Sequence, residues 1–170
     1  MAVHLRVAPA PGGARAHGSE PARIRVILAD DHYVVRRNLR VLLDGEQDVV
    51  VIAEATDIST VLHNVRLHVP DVLVLDLRMA NGSSVDAIRR LRSDVSETEI
   101  VVLTMEESPA FAHQALQSGA IGFVLKDKAD AELPDAVRRA ARGEEYVSSR
   151  VVTQLEAMRK AVDGDGLSAV

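Results

Sequence analysis

Five short apolar runs constrain this 170-residue chain more than any other feature: "IRVILA" (24–29), "VVVIAEA" (49–55), "DVLVLD" (71–76), "EIVVLT" (99–104) and "IGFVLK" (121–126). Each is rich in Val, Ile and Leu and too short for a helix, the pattern of strands covered on both faces in a parallel sheet. Between them the period becomes helical. "VVRRNLRVLL" sets Val35, Leu39 and Leu42 on one side and arginines on the other, with Gly45 ending the helix. Asp57 caps a helix whose buried side is Ile58, Leu62, Val65 and Val69. A serine cap opens the next, which buries Val85, Ile88 and Leu91. Ser108 as cap, Pro109 at the first helical position and Gly119 past the end frame a fourth. A fifth is expected within 131–142, ending at Gly143, with Pro134 shortening its first turn.

This alternation predicts a doubly wound α/β fold around a five-stranded parallel sheet, with the flavodoxin-like strand order 2-1-3-4-5. The core has to be aliphatic, because aromatic residues are only 2% of a chain that is 47% hydrophobic. A net charge of −5 and a pI near 5.7 argue against a chain dominated by nucleic-acid binding. The absence of cysteine excludes disulfides and thiolate metal sites and fits a reducing compartment, so a cytoplasmic location is expected. No apolar run nears the roughly 18 residues of a membrane span. Residues 1–22, biased to Ala, Pro, Gly and Arg, read as a disordered extension. Residues 23–147 then form the folded domain, and 148–170 a linker helix and flexible tail.

The expected strand order makes the first and third strands neighbours where the winding reverses, which is where such sheets bind ligands. Asp30 and Asp31 leave the first strand and Asp76 ends the third. A helix cap explains one aspartate of the pair. Three converging carboxylates call for a hard divalent cation with oxygen ligands, Mg²⁺ above all. Thr104 ends the fourth strand and Lys126 the fifth, on the same rim. A hydroxyl and an ammonium beside a metal and a carboxylate suit phosphoryl chemistry, in which the carboxylate is itself the nucleophile. His32, His63, His68 and His113 lack metal-ligand spacing and read as surface or satisfied residues. Arg36, Arg37, Arg89 and Arg90 read as solvated helix faces.

The stretches "LADDHYVVRRNLRVLL", "VVVIAEA", "PDVLVLDLRM", "VVLTM" and "ALQSGAIGFVLKD" make the chain resemble the response-regulator receiver domain over about residues 24–147. The likeness is greatest to the NarL/FixJ branch, which carries a LuxR-type helix-turn-helix. The resemblance implies that Asp76 accepts phosphate from a histidine kinase. It implies that Asp30, Asp31 and Asp76, with the Arg78 backbone carbonyl, hold Mg²⁺. Lys126 would pair with a phosphoryl oxygen, Thr104 would hydrogen-bond the phosphoryl group, and Phe123 would turn inward as Thr104 moves. Homodimerisation on phosphorylation is the implied output, rather than a metabolic reaction. The chain also departs from the pattern, because "DLRM" runs on into "ANGSS". Ala80 replaces a stiffening proline and Ser84 a glycine, although Asn81-Gly82 can still supply positive φ and Ser83 or Ser84 a cap.

Beyond Gly143, Ser149 can cap a helix with Val151 or Val152, Leu155 and Met158 on one face, broken by "DGDG". The "LSAV" that follows is too short for a helix-turn-helix, so DNA contact would need a domain not present in these residues. A flavodoxin would need a hydroxyl- and glycine-rich phosphate loop where "DDH" stands. A phosphohydrolase with a nucleophilic aspartate usually has a second acid two residues on, and that position is Arg78. Two alternatives stay open: the regulatory part of a LuxR-type transcription factor, and a degenerate receiver that acts without phosphorylation.

Overall fold

The computed structural model describes residues 22–165, with side chains described through residue 161. The extension expected at 1–22, all but its last residue, and the tail beyond Asp165 lie outside the described residues. Strands form on the apolar runs: β1 (Ile24–Ala29), β2 (Val49–Ala55), β3 (Val72–Asp76), β4 (Glu99–Thr104) and β5 (Gly122–Leu125). They pair in parallel in the order 2-1-3-4-5, as the alternation predicts. A sixth strand, β6 (Tyr146–Val147), lengthens the sheet at the β5 edge. Two residues are too few to show a period, so this strand is invisible to pattern. Its position comes from backbone pairing, with the Tyr146 N–H on the Ile121 carbonyl at 3.1 Å and the Ser148 N–H on the Phe123 carbonyl at 2.9 Å.

Alternate residues of each strand feed two cores. On one face Val26, Leu28, Val74 and Leu103 meet Leu39 and Leu43 of α1 (Tyr33–Asp44) and Leu133 and Val137 of α5 (Ala129–Ala141). On the other, Ile27, Leu73, Val102 and Phe123 meet α2 (Ile58–His68), α3 (Ser84–Asp94) and α4 (Pro109–Gln117). The last helix, α6 (Ser149–Asp165), lies beside α4 and places Val151 and Leu155 in this second core.

Several local expectations hold and several do not. Asp57 caps α2 by accepting the Thr60 N–H at 2.8 Å, and Pro109 opens α4. Ser108 precedes that proline without a side-chain cap bond. Val69 is exposed rather than buried, because it ends α2 in the left-handed region at φ 41°. The following Pro70 disfavours the right-handed helical backbone there. Pro134 does not shorten α5: a 3₁₀ turn at Lys126–Lys128 leads straight into the helix, and the proline sits buried inside it. Ser149 is the first residue of α6 rather than its cap; the Ser148 carbonyl accepts the Val151 and Val152 N–H groups. The helix runs through Gly164 to Asp165, into the expected break.

Gly122 matters because a Cβ built there would stand 2.9 Å from a methyl of Val101, its partner across the β4–β5 ladder. Val101 is wholly buried and cannot turn away. Gly122→Ala is therefore expected to cost about 1–3 kcal/mol through overpacking, seen as a lower denaturation midpoint at unchanged slope. Wild-type stability in this variant would show that β5 has room to shift.

Candidate functional site

The register of β1 against β3 sets Ala29 beside Leu75, so the next residue of each strand, Asp30 and Asp76, emerges in one crevice. Both are almost fully buried, while Asp31 is exposed at the rim. Lys126, in the turn after β5, reaches between them: its Nζ lies 2.6 Å from Asp30 Oδ2 and 2.9 Å from Asp76 Oδ2. The remaining oxygens are held by backbone. Asp30 Oδ1 accepts the His32 N–H at 2.8 Å and Asp76 Oδ1 the Arg78 N–H at 3.1 Å.

Two supports of this geometry were not apparent from pattern. Ser84, standing where the resembled pattern has glycine, is buried and donates its hydroxyl to the Asp76 carbonyl at 2.8 Å. Ser83 caps α3, and Asn81 and Gly82 take the positive φ values the turn requires. Arg36 is no solvated face residue. Its side chain is only 11% exposed, and it donates to the Asp30 carbonyl at 2.8 Å and to Glu54 at 2.7 Å. A carboxylate inside the apolar run "VVVIAEA" was the available sign that a cation must turn inward. Bonding to Arg40 first and Arg36 next holds the Glu54 carboxyl below its usual range despite burial. Arg37, Arg89 and Arg90 are exposed, as expected.

Burial pushes the Asp76 carboxyl above the ordinary carboxylate range; Lys126 and the Arg78 N–H oppose that shift, and the charge of Asp30 adds to it. For Lys126, burial works against the charge, but bonds and attraction to Asp30 and Asp76 outweigh it and push its pKa up. One ammonium thus stands between two buried carboxylates with a third at the edge. Ligand atoms of Asp30, Asp31, His32 and Asp76 all lie within 4.8 Å of one another. The hard oxygens of the three carboxylates in this set fit a divalent cation of the Mg²⁺ kind.

Thr104 is buried at the end of β4, and its hydroxyl accepts the Glu106 N–H at 3.1 Å. The Arg78 side chain pairs with Glu106 across the mouth. A cavity of about 140 Å³ between these groups is lined by Asp76, Thr104 and Lys126 among others. Phe123 is fully buried, so the outward position from which a rotation would start is not occupied in this structure. His63 and His113 are exposed on helix surfaces and His68 is half-buried, away from the crevice. His32 differs, because its imidazole contacts both aspartates of the pair.

The winding of the sheet places the aspartates at the β1/β3 switch point, with the lysine after β5 between them, where open α/β sheets bind ligands. The family model for the response regulator receiver domain matches residues 26–138, and the chain belongs to that family. It is 36% identical over 133 residues to the oxygen regulatory protein NreC of Staphylococcus haemolyticus, covering 78% of this chain and 61% of that protein. The chain therefore spans about three fifths of the curated relatives it matches. Among solved structures, it is similar to the signal receiver domain of the response regulator NarL from Mycobacterium tuberculosis, with TM-score 0.70 and 35% identity. That match covers 73% of this chain and all of the other. A LuxR-family two-component response regulator from Aurantimonas matches with TM-score 0.78 and 30% identity over 81% of this chain and 99% of the other.

Because its pKa is raised on folding, Asp76 contributes stability that is full below the ordinary carboxylate range and lost as pH rises through the raised value. At neutral pH it is a destabilising charge. Asp76→Asn should thus raise the melting temperature at pH 7 by a few degrees, about 1 kcal/mol. The gain should fade toward the ordinary aspartate pKa of about 4. A lower melting temperature at pH 7 would mean that pairing with Lys126 outweighs burial.

Proposed function

We propose that this chain is the phosphoryl-accepting module of a two-component system, with Asp76 receiving the group from a partner histidine kinase. The observation that carries this reading is the buried Asp76, paired with Lys126 at 2.9 Å, in a crevice it shares with Asp30. In the transfer a carboxylate oxygen of Asp76 bonds to phosphorus as the P–N bond of the donor phosphohistidine breaks, and the electron pair leaves with the nitrogen. Lys126 offsets the charge gathered on the phosphoryl oxygens. Thr104 supplies a hydroxyl from the end of β4. Asp30, Asp31, Asp76 and the Arg78 carbonyl would hold Mg²⁺, which when bound would neutralise phosphoryl charge. Ser84 bonds the main-chain carbonyl of Asp76 and leaves its carboxylate facing Lys126 in the crevice, which favours this reading over a degenerate receiver. The receiver occupies 23–147 and works in the cytoplasm. α6 is the linker toward any output domain, and DNA contact belongs to a domain outside these residues. No helix among the described residues is long and apolar enough to cross a membrane.

Intact-mass measurement after treatment with phosphoramidate and Mg²⁺ should show one added phosphoryl group, absent with EDTA and in Asp76→Asn. An adduct that survives in Asp76→Asn would place the acceptor elsewhere.

Phosphorylation changes self-association in this reading, and the α1–α5 surface is the one that serves. On the opposite flank β6 covers the β5 edge, and α6 lies against α4, with Arg150 paired to Glu107 and Asp127. On α1, Val34 and Val41 are exposed at 66% and 69%, and the groove between α1 and α5 is about 620 Å³. It runs from Leu39 and Leu42 to Lys126, joining an apolar surface to the acceptor crevice, and a second copy of the chain fits its apolar character. Sedimentation should shift toward dimer with beryllofluoride, and Thr104→Ala should lose the shift. Identical association with and without beryllofluoride, at proven occupancy of Asp76, would remove this output.

A further inference from the structure

Sequence spacing makes His32 a surface residue, and its side chain is indeed 69% exposed. Its Nδ1 nevertheless faces the acid crevice, 2.8 Å from Asp31 Oδ1 and 3.3 Å from Asp30 Oδ1. The residue is tied there by its own backbone, through the N–H bonded to Asp30 Oδ1 at 2.8 Å. Its nitrogen and the oxygens of the three aspartates lie within 4.8 Å of one another, close enough to surround one cation. The crevice also contains a buried oxygen, Asp30 Oδ2, whose one polar partner is the ion-paired Lys126 at 2.6 Å.

We infer that His32 is a nitrogen ligand through which this crevice takes a borderline transition ion, Zn²⁺, in competition with Mg²⁺. The inference rests on the acid crevice being a cation site, as in the function proposed above. Mg²⁺ selects oxygen and keeps its waters, so an imidazole adds little to its binding. Zn²⁺ takes imidazole nitrogen and carboxylate oxygen together in four-coordinate sets, which three aspartates and one histidine can supply. His32 thus discriminates between ions rather than supporting every ion equally. A zinc ion held this way draws on Asp76, the phosphoryl acceptor. It therefore opposes phosphorylation by displacing Mg²⁺ with an ion whose four protein ligands leave no position for a phosphoryl oxygen.

The test uses the 170-residue chain labelled with ¹⁵N-histidine. Long-range ¹H–¹⁵N spectra should show the His32 Nδ1 resonance moving on addition of Zn²⁺ and staying in place with Mg²⁺, and excess Mg²⁺ should reverse the Zn²⁺ shift. By calorimetry, His32→Gln should weaken Zn²⁺ by at least about tenfold and leave Mg²⁺ binding unchanged. Zinc shifts confined to other histidines would overturn the inference, as would an equal loss of both ions in His32→Gln. Mg²⁺ binding with His32 silent to Zn²⁺ would end this inference alone. A chain that binds neither ion would end the cation-site reading beneath it as well.

Discussion

The lysine that reaches between Asp30 and Asp76 is the contact on which the site depends. Two carboxylates at the ends of adjacent buried strands repel each other and pay for burial, and no apolar packing can relieve that. Lys126 relieves it with one charge, at 2.6 and 2.9 Å, and its own burial is tolerable only because both partners are anionic. The three residues come from the ends of β1, β3 and the turn after β5. Their meeting therefore requires the whole central sheet to be in register.

That contact is held from outside as well. Arg36 crosses from α1 to the Asp30 carbonyl and to Glu54 of β2, binding the first helix, the second strand and Asp30 into one unit. Ser84 does the same for Asp76 from α3. Function sets the net charge of the crevice, while these neutral or compensated bonds set its shape. Such a division lets the charge in the crevice change without loosening the frame.

The edge of the sheet carries a second organisation. Ser148 accepts the Leu125 N–H at 3.1 Å and donates to Glu132, so the start of α6 is fastened to both β5 and α5. Arg150 then reaches the loop after Thr104 through Glu107 and the turn after Lys126 through Asp127. The segments that follow Thr104 and Lys126 are thereby joined to α6. A displacement of either loop acts on α6 through ion pairs, which are weak when exposed and easily exchanged.

The sequence by itself determined the alternation of strands and helices, the strand order and the identities of Asp30, Asp31, Asp76, Thr104 and Lys126. Each of these is written in local period or in a position at the end of an apolar run, and burial on both faces of a parallel sheet leaves little freedom in reading them. Only the tertiary structure decided where Arg36 and His32 point, what Ser84 bonds, that Phe123 is already buried, and that β6 and α6 close one flank. The physical reason is the range of the forces involved. A helix period shows which side of α1 faces the sheet, but a long side chain at the margin turns toward whatever charge another strand presents. Glu54 and the aspartate pair lie on strands separated from each other in sequence, and only the fold brings their oxygens within reach. Strand β6 likewise exists because β5 offers unpaired backbone groups at its edge, a demand written in the sheet and not in Tyr146 and Val147.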